Sequence, residues 1–560
     1  MLNPTASKPE VLTSVTAHRG SELRCRGWRQ EGLLRMLENN MENAEHPERL
    51  VIYGGIGKCA RNWESYHAIV DALRSLADDE TLVVQSGMPV AVFRTHRFAP
   101  NVVMATTNFV HATWDNFYDL QDRNLTMFAQ YTAAPWEYIG TQGVIQGSFQ
   151  TLAAIARLRF DDDLRGRLLL TAGMGGMGGN QPRAMTMLGG VCICADVDRA
   201  VIDRRLAAGY CDVVAESFGH AWELARAAIA ERRALGVAVV ANAVDVIEET
   251  VRRDLRPDIV TDMTPAHDPL SYIPANLTLA EAAALRERDR TEYMRLAHES
   301  MIRQLTGMNT LFDRGLAVFE YGNQLRGETR MAGFQAALHI PGFVAEYIRP
   351  LFTEGRGPFR WVCLSGAPAD LARLDDLCLE LFAADDLVTR WIGLAREHVP
   401  IEGLPARVCY LGFGQRREFG LAVNRLVASG ELEAPVAFSR DNLDSGSIIN
   451  PTFESENMKD GGDLISDWPY LNALLNTAGM ADLVAVQANY AMGEAVHTGV
   501  TQFADGTPDS DIRLDVALTT DSGIGVIRHA QAGYERSREV VAEHGLQVPL
   551  WWTPEATFGP

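Results

Sequence analysis

The chain has 560 residues, of which 47% are hydrophobic and 22% are charged, a balance typical of soluble globular proteins. Its 51 Lys and Arg residues against 72 Asp and Glu residues give a formal net charge of −21, which argues against binding to nucleic acid or to an anionic membrane surface. A chain of this length predicts about three domains.

The sequence contains no apolar run of the roughly 18 residues that a membrane-spanning helix needs, and its N-terminus lacks the pattern of a signal peptide. We therefore expect a cytoplasmic protein without a membrane partner. The eight cysteines include no CxxC pair and are not accompanied by HExxH or HxxxH motifs. This spacing predicts neither a disulfide framework nor a bound metal.

The first elements form a mixed pattern. Residues 1–45 predict an arm and a helix, a short strand covers 49–53, and the glycine-rich GGIGK stretch follows it at 54–58. A helix is predicted from Asn62 to about Ala77, and then a strand, a turn and a second strand over 82–93. The segment 101–150 is rich in aromatic and amide side chains, which line either a core or a ligand site.

The pattern then changes to alternating buried strands and helices. Strands are predicted at 167–171, 191–198, 212–216, 237–244, 258–263 and 316–322. A helix is predicted over 221–235, and a longer helical region covers 278–315, opened by a capping box at Thr278 and Glu281. Such alternation predicts βαβ units and a parallel sheet, and hence an α/β fold. Beyond residue 340 the pattern is again mixed α/β.

A glycine-rich loop follows the first strand of this region. Gly173, Gly175 and Gly178 form a G-x-G-x-x-G pattern, and Asp196 ends the next strand 18 positions after Gly178. This context indicates a dinucleotide site, in which glycines admit a pyrophosphate and the acid accepts hydrogen bonds from the ribose. A carboxylate there favours NAD+ over NADP+. Asp198 is the alternative ribose acid, and a merely tight turn is the alternative for the glycines.

Two further strand ends carry polar residues. Asn242 and Ala243 end one strand, and the stretch from Met263 to Asp268 follows another. In an open parallel sheet, ligands bind outside the carboxyl ends of the strands, so these residues are expected beside the cofactor. A purely structural role for His267 is the alternative.

Long stretches of the chain resemble the urocanate hydratase (urocanase) family. They include YGGIGKCARNWESY (53–66), QSGMPVAVFRTH (85–96), TAGMGGMGGNQP (171–182), PAHDPL (265–270), GPFRWVCLSG (357–366), GLPARVCYLGFGQR (403–416), RDNLDSGSI (440–448) and SDWPYLNALLNTA (466–478). The resemblance implies an α/β, urocanase-like fold. In it a Rossmann-type NAD-binding domain (139–348) is inserted between an N-terminal segment (1–138) and a C-terminal segment (349–560), which together form the catalytic part.

The resemblance also implies an activity and a site. Urocanases are hydro-lyases that use tightly bound NAD+ as an electrophile and not as a hydride carrier, and a homodimer is expected. The catalytic residues carried over are Cys409, which matches the family's active-site cysteine, Arg360 as a clamp for the substrate carboxylate, Tyr53, His267 and Asp444. The cofactor-binding residues carried over or predicted above are Gly54, Gly55, Gln130, Gly173, Gly175, Gly176, Met177, Gly178, Asp196, Asn242, Ala243, Thr264, Ala266, His267, Tyr272, Tyr321 and Gly493.

The chain departs from the family pattern where the substrate ring is expected. The family's histidine- and glycine-rich stretch is replaced by QANYAMGEAVHTG (487–499), Phe453 stands in place of an Arg, and Asn442 in place of a His. Tyr131, Pro135 and Tyr490 are further changes. The departures favour a sulfur-modified substrate, such as thiourocanate or S-methyl thiourocanate. An ordinary urocanate hydratase is the alternative, followed by an NAD-dependent dehydrogenase and a non-catalytic NAD-binding protein.

Overall fold

The computed structural model describes residues 10–107, 113–489 and 495–551. Its middle part is built on a six-stranded sheet in which every pairing is parallel. The strands are β6 (Leu168–Ala172), β7 (Val191–Asp196), β8 (Val213–Ala215), β9 (Leu235–Val240), β10 (Ile259–Val260) and β11 (Ala317–Val318). β6, β10 and β11 are buried along their whole length, as expected for apolar strands covered on both faces.

Helices precede, connect and follow these strands. They are α4 (Ile145–Arg159), α5 (Gln181–Met187), α6 (Arg199–Ala207), α7 (Phe218–Ala230), α8 (Ala243–Arg252), α9 (Leu279–Arg288), α10 (Arg290–Asp313) and α11 (Leu325–Met331). The sheet order is β11-β10-β6-β7-β9-β8. The chain leaves β6 toward β7 on one side and later returns to β10 on the other, which makes the carboxyl ends of β6 and β10 the switch point where such sheets bind ligands.

The segments before and after this middle part share a second sheet. From the N-terminal segment come β3 (Glu80–Gln85), β4 (Met88–Arg94) and β5 (Val102–Thr106). From the C-terminal segment come β12 (Phe359–Cys363), β13 (Ala406–Cys409), β14 (Val436–Arg440), β15 (Ile448–Ile449), β16 (Leu483–Asn489) and β17 (Ala495–Ala504). β5 pairs with β16 in parallel and so joins the two segments. The predicted arrangement, a Rossmann-like part between two flanking segments, is confirmed.

The remaining elements cover this sheet or lead into it. A two-stranded ribbon consists of β1 (Val51–Tyr53) and β2 (Gly57–Lys58). The helices are α1 (Trp28–Glu42), α2 (Trp63–Ser75), α3 (Trp114–Asp122), α12 (Arg349–Phe352), α13 (Pro368–Leu381), α14 (Asp386–His398), α15 (Gln415–Ser429), α16 (Asp467–Ala478), α17 (Pro508–Gln531) and α18 (Glu535–Glu543). Within the described ranges, no helix is both long and apolar enough to span a membrane.

Several predicted elements differ from the structure. The strands expected over 237–244 and 316–322 shorten to β9 and β11, and α8 already begins at Ala243. The helix expected over 221–235 ends at Ala230, because Arg232 takes a left-handed conformation (φ 51°) before β9 starts at Leu235. The helical region 278–315 is broken at Asp289, whose side chain caps the start of α10. The strand expected over 258–263 shortens to Ile259 and Val260, which frees the following residues for the cavity described next.

Candidate active site

A cavity of about 440 Å³ lies at the carboxyl ends of β6, β7, β9 and β10. The predicted cofactor residues that line it are Gly54, Gly55, Gln130, Gly173, Gly175, Gly176, Met177, Gly178, Asp196, Asn242, Ala243, Thr264, His267 and Tyr272. Fourteen positions from both the middle part and the N-terminal segment thus meet around one space.

The three glycines of the loop differ in what a side chain would meet. A Cβ at Gly173 would lie 2.3 Å from the Met263 carbonyl oxygen, and one at Gly178 would lie 2.1 Å from the Gly173 carbonyl oxygen. These two glycines therefore allow close backbone packing. A Cβ at Gly175 would have only the Glu45 carboxylate nearby, at 3.1 Å, and would otherwise project into the cavity. This division of roles is that of a dinucleotide-binding loop.

One backbone amide of the loop binds a carboxyl oxygen of the protein. The Gly176 backbone N–H donates a hydrogen bond of 2.7 Å to Glu45 Oε1. The side chain of Glu45 lines the cavity, so its carboxylate stands where a phosphate oxygen would be expected. A backbone amide aimed at a negative oxygen, at the start of the helical turn Gly178–Asn180, is the donor that a pyrophosphate requires.

Asp196 ends β7 at the wall of the cavity. Its two carboxylate oxygens accept hydrogen bonds from the backbone N–H groups of Met174 (2.7 Å) and Asp198 (2.8 Å). Burial raises its pKa to about 6, although these hydrogen bonds act in the opposite direction. Each oxygen keeps a further lone pair, so the carboxylate can also accept from ribose hydroxyls. Asp198, the alternative ribose acid, lines the cavity as well but caps α6 by accepting from the Ala200 N–H.

The opposite wall comes from the GGIGK stretch and the loop after β10. His267 Nε2 donates to the Gly54 carbonyl oxygen at 2.8 Å, and burial lowers the pKa of His267, which keeps its ring neutral. Gly54 and Gly55 have φ of 70° and 79°, a conformation that favours glycine. Gln130 lines the same wall, and its buried Oε1 has no hydrogen-bond partner within the described ranges. A buried amide oxygen without a protein partner is suited to binding a ligand group.

Other predicted cofactor-binding residues are held in place by hydrogen bonds within the protein. The Asn242 side chain accepts from the Val244 N–H and donates to the Ile273 carbonyl oxygen, and Tyr272 donates its hydroxyl hydrogen to Gln304. Thr264 donates to Asp262 at 2.7 Å. These bonds hold the cavity walls in place without a ligand. Ala266 is fully buried and does not line the cavity, contrary to expectation, because the chain turns there and the Ala266 N–H binds the Thr264 carbonyl oxygen.

A narrow side arm extends from the main cavity. The two spaces share Tyr131, Met177, Met263 and Gly322 in their walls. The polar side chains of the side arm are Tyr53, Tyr131, Tyr321, Tyr410, Asp441 and Glu454, and the apolar ones include Val144, Phe343, Leu443 and Phe453. Its volume is about 40 Å³, little more than the ~30 Å³ share of one water molecule. A ring would therefore lie at the junction of the two spaces or displace a side chain.

Tyr53 and Tyr321 are held firmly in the side arm. The Tyr53 hydroxyl lies 3.1 Å from Thr132 Oγ1 and accepts from the Thr132 N–H, and its ring stacks on Tyr138 with centroids 4.5 Å apart. The Tyr321 hydroxyl lies 2.8 Å from Ser148 Oγ. Burial raises the pKa of both tyrosines above the usual range, so both hydroxyls stay protonated at neutral pH.

Arg360 lies behind this wall, fully buried. Its Nη2 donates to Asp441 Oδ2 at 2.6 Å and to the Gly143 carbonyl oxygen at 3.0 Å. Its Nη1 has no hydrogen-bond partner among the described residues. Asp441 thus lines the side arm directly. Arg360 lies on the other side of this carboxyl group and pairs with it.

Cys409 differs from expectation in the direction of its side chain. It ends β13 within the hydrophobic core, is fully buried, lines neither space and lies near the thiol of Cys378. Burial raises the pKa of this thiol well above its usual range, which opposes formation of a thiolate. The next residue, Tyr410, lies in the side-arm wall instead. Because successive residues of a strand point to opposite faces, the signature stretch presents its tyrosine and not its cysteine.

Asp444 also lies away from the cavity. Its two oxygens accept from Arg416 Nη1 (2.8 Å) and Nη2 (3.0 Å), a bidentate and buried ion pair. Asp441, three residues earlier and directly after β14, is the carboxylate that reaches the side arm. Gly493 lies outside the described residues, as does Tyr490. Of the altered stretch 487–499, the described residues belong to the pair β16 and β17 and line neither space.

Among the lining residues that sequence reasoning missed are Glu45, Tyr410, Asp441 and Glu454. Tyr410 and Asp441 directly follow the strands β13 and β14, and their position at a strand's carboxyl end is the signal that could have found them. Nothing local distinguishes Glu45, which reaches the glycine loop from the turn after α1.

The observed walls fit a dinucleotide. They provide a glycine loop open toward the cavity, a backbone amide that binds a carboxyl oxygen, a carboxyl group at a strand end and, among the described residues, an unpartnered amide oxygen at Gln130. The main cavity draws its lining residues from four strand ends and from the N-terminal segment. A phosphate-bearing cofactor would be held by Gly175, Gly176 and Asp196, and its other half would lie toward Gly54, Thr264 and His267.

Comparison with protein-family models gives three matches that follow one another along the chain. The urocanase N-terminal domain matches residues 15–137, the urocanase Rossmann-like domain matches residues 140–347, and the urocanase C-terminal domain matches residues 350–543. The three domains occur in the order that the shared sheet and the inserted parallel sheet require. The chain therefore belongs to the urocanase family, whose members are hydro-lyases with urocanate hydratase-type activity.

Proposed function

We propose that this chain is an NAD+-dependent hydratase that adds water to an imidazole acrylate with a sulfur substituent on the ring carbon between the two nitrogens. The observation that carries the proposal is the junction between the two spaces. There, a cavity suited to a dinucleotide opens into a side arm with four tyrosines and two carboxyl groups. When bound, NAD+ would supply an electrophilic ring.

The chain's own residues would bind and orient the substrate. The walls at the junction are flat or soft, formed by Tyr131, Met177 and Met263, and would enclose a planar ring. The side chains of Tyr53 and Tyr321 would exclude bulk water from the side arm, and their hydroxyls would present fixed dipoles to the substrate. Arg360 Nη1, which has no hydrogen-bond partner among the described residues, would bind the substrate carboxylate from behind Asp441 once that side chain moves aside, since a guanidinium can serve two carboxylates at once.

Phe453 supports the choice of a sulfur-modified ring. It stands where the family pattern has an Arg, lies in the side-arm wall and packs on Phe343 with ring centroids 4.9 Å apart. An apolar side chain in place of a cation removes a polar partner of an unmodified imidazole and adds surface that sulfur or a methylthio group can contact. One group of methylene size is worth about 1–3 kcal/mol in an apolar pocket, or about 10- to 200-fold in discrimination.

The test has two parts. The purified full-length chain is denatured, and the released nucleotide is measured by chromatography; close to one NAD+ per chain is expected. The undenatured protein is then given urocanate, thiourocanate and S-methyl thiourocanate in turn, and the loss of the conjugated chromophore is followed by ultraviolet absorbance without added cofactor. Formation of NADH would indicate a dehydrogenase. Preference for urocanate would indicate an ordinary urocanate hydratase.

A further inference from the structure

Glu454 has its carboxyl group in the side-arm wall. Neither the sequence prediction nor the proposed function assigns this group a role. It is 5% exposed, and the Tyr131 hydroxyl donates a 2.7 Å hydrogen bond to its Oε1. Its Oε2 is buried and has no hydrogen-bond partner among the residues that the structure describes. One oxygen of the carboxyl is therefore fixed by a tyrosine, and the other remains available to a ligand.

The charged groups around Glu454 do not neutralise it. Arg349 donates to the main-chain carbonyl oxygens of Glu454 and Glu456, and Arg528 donates to those of Ser445 and Ile448. In the described part of the chain, no ion pair joins the Glu454 carboxyl to a cation. Two further acids, Asp441 and Glu320, lie close enough to disfavour its ionisation.

The protonation state follows from this environment. Burial raises the pKa of Glu454 well above its usual range, and the hydrogen bond from Tyr131 offsets only part of the rise. A carboxyl without a paired cation stays neutral in such a site. Because Oε1 accepts from Tyr131, the proton of the neutral acid resides on Oε2, the oxygen that lacks a partner.

We propose that Glu454 is a catalytic proton carrier of the hydratase, which gives its Oε2 proton to the substrate and regains one from the water that adds. This inference rests on the proposed function. In the first step the Oε2–H bond breaks and a C–H bond forms on the acrylate chain, leaving a carboxylate held by Tyr131. In the second step the water oxygen bonds to the ring carbon, and one of its hydrogens passes to Oε2. One water molecule is consumed, and nothing is oxidised or reduced.

A purely structural role is the competing explanation, since the Glu454–Tyr131 bond could serve only to hold the tyrosine. Tyr131 has other supports, because its ring stacks on His497 with centroids 5.2 Å apart and its carbonyl oxygen accepts from Asn442. A structural role would change binding or stability without removing a proton-transfer step. The two explanations therefore differ in the effect on kcat and in its pH dependence.

The experiment uses Glu454→Gln, Tyr131→Phe and, as matched control, Glu137→Gln. Glu137 is a second fully buried acid with a raised pKa, and it lines neither space. We expect E454Q to keep its bound nucleotide and its KM, and to lose about 10²- to 10⁴-fold in kcat, the usual contribution of a positioned acid or base. E137Q should stay within about twofold of the parent kcat. The parent kcat should fall as pH rises through the Glu454 pKa, and this limb should be absent in E454Q.

Infrared spectroscopy gives a readout that needs no turnover. At neutral pH the protein should show the carbonyl band of a protonated carboxylic acid that E454Q removes and that shifts when imidazole propionate binds. If E454Q does not fold, Y131F must shift the same band, because it removes the hydrogen bond to Oε1. Near-parental kcat in E454Q overturns the proposal. If no imidazole acrylate is hydrated, the proposed function fails, and the infrared band alone then tests the role of Glu454. An absent or unshifted band overturns its role as proton carrier.

Discussion

Arg360 and Asp441 form a buried ion pair, with 2.6 Å between Nη2 and Oδ2, and only Asp441 of the two lines the side arm. The pair reaches across two adjacent antiparallel strands, since Arg360 lies on β12 and Asp441 directly follows β14. A substrate carboxylate that binds Nη1 would thus share one guanidinium with Asp441. The pair sets both the charge and the geometry at the closed end of the site.

Replacing Arg360 by Lys is expected to raise KM for the imidazole acrylate roughly tenfold to hundredfold, with kcat little changed. A single ammonium cannot hold Asp441, the Gly143 carbonyl oxygen and a substrate carboxylate in planar geometry, and a hydrogen bond to a charged group is worth about 1.5–3 kcal/mol. Steady-state kinetics measure the effect. The matched control is Arg303→Lys at the surface pair with Glu248, which should leave KM unaltered. A lowered kcat at constant KM would count against the carboxylate clamp.

Replacing Gly175 by Val is expected to abolish retention of NAD+ while the protein remains folded. A branched side chain there would project into the cavity, and the backbone of Gly175 does not have a positive φ that would strain it. Nucleotide released from denatured protein provides the measurement. Gly393→Val, in α14 with open space around the position, is the control for an added branched side chain. Full occupancy in G175V would contradict the assignment of the loop.

The substitutions Cys409→Ala and Tyr410→Phe should affect different properties, the first mainly stability and the second mainly kcat. The cysteine lies in the core beside Cys378, so its truncation should lower the free energy of unfolding by about 1 kcal/mol and change kcat by less than about tenfold. Tyr410 lies in the side-arm wall, and loss of its hydroxyl should lower kcat by more, at unchanged stability. Urea unfolding and kinetics on both variants make the comparison. A loss of several orders of magnitude in C409A would restore the family's cysteine as a catalytic residue in this chain.

His529 should make the protein less stable in acid. It is buried on α17, Nδ1 lies 2.9 Å from the Gly525 carbonyl oxygen, and burial, helped by the nearby Arg528 charge, lowers its pKa from 6.5 to about 3. As pH falls, His529 binds a proton in the unfolded chain before it does so in the folded protein. Its contribution to the free energy of unfolding is therefore complete above pH 6.5 and is lost as pH falls toward 3. Within this range the free energy of unfolding decreases by about 1.4 kcal/mol for each unit by which the pH falls.

The comparison for His529 is urea unfolding at pH 7 and pH 5 in the parent and in His529→Gln. The parent should lose more stability between these two pH values than the variant does. His497, whose pKa burial also lowers to about 3, contributes to the slope in both proteins. An equal loss in parent and variant would show that His529 is not buried in its neutral form.

The sequence predicts the local parts of this molecule better than the directions of its side chains. The glycine loop, the strand before it and Asp196 could be predicted because each depends on residues close in the chain. Cys409 ends β13 and Tyr410 directly follows it, and which of the two faces the cavity depends on how the strand packs into a core that includes Trp391 and Phe419 of distant helices. Asp441 and Asp444 are alike in sequence, but Asp444 pairs with Arg416 whereas Asp441 pairs with Arg360.

The central claim is that this chain hydrates a sulfur-modified imidazole acrylate in preference to urocanate. The most direct measurement is kcat/KM for S-methyl thiourocanate, thiourocanate and urocanate, from ultraviolet absorbance with the full-length protein and no added cofactor. The account predicts that one of the sulfur-modified substrates has a kcat/KM at least about tenfold above that of urocanate. A higher kcat/KM for urocanate would contradict it.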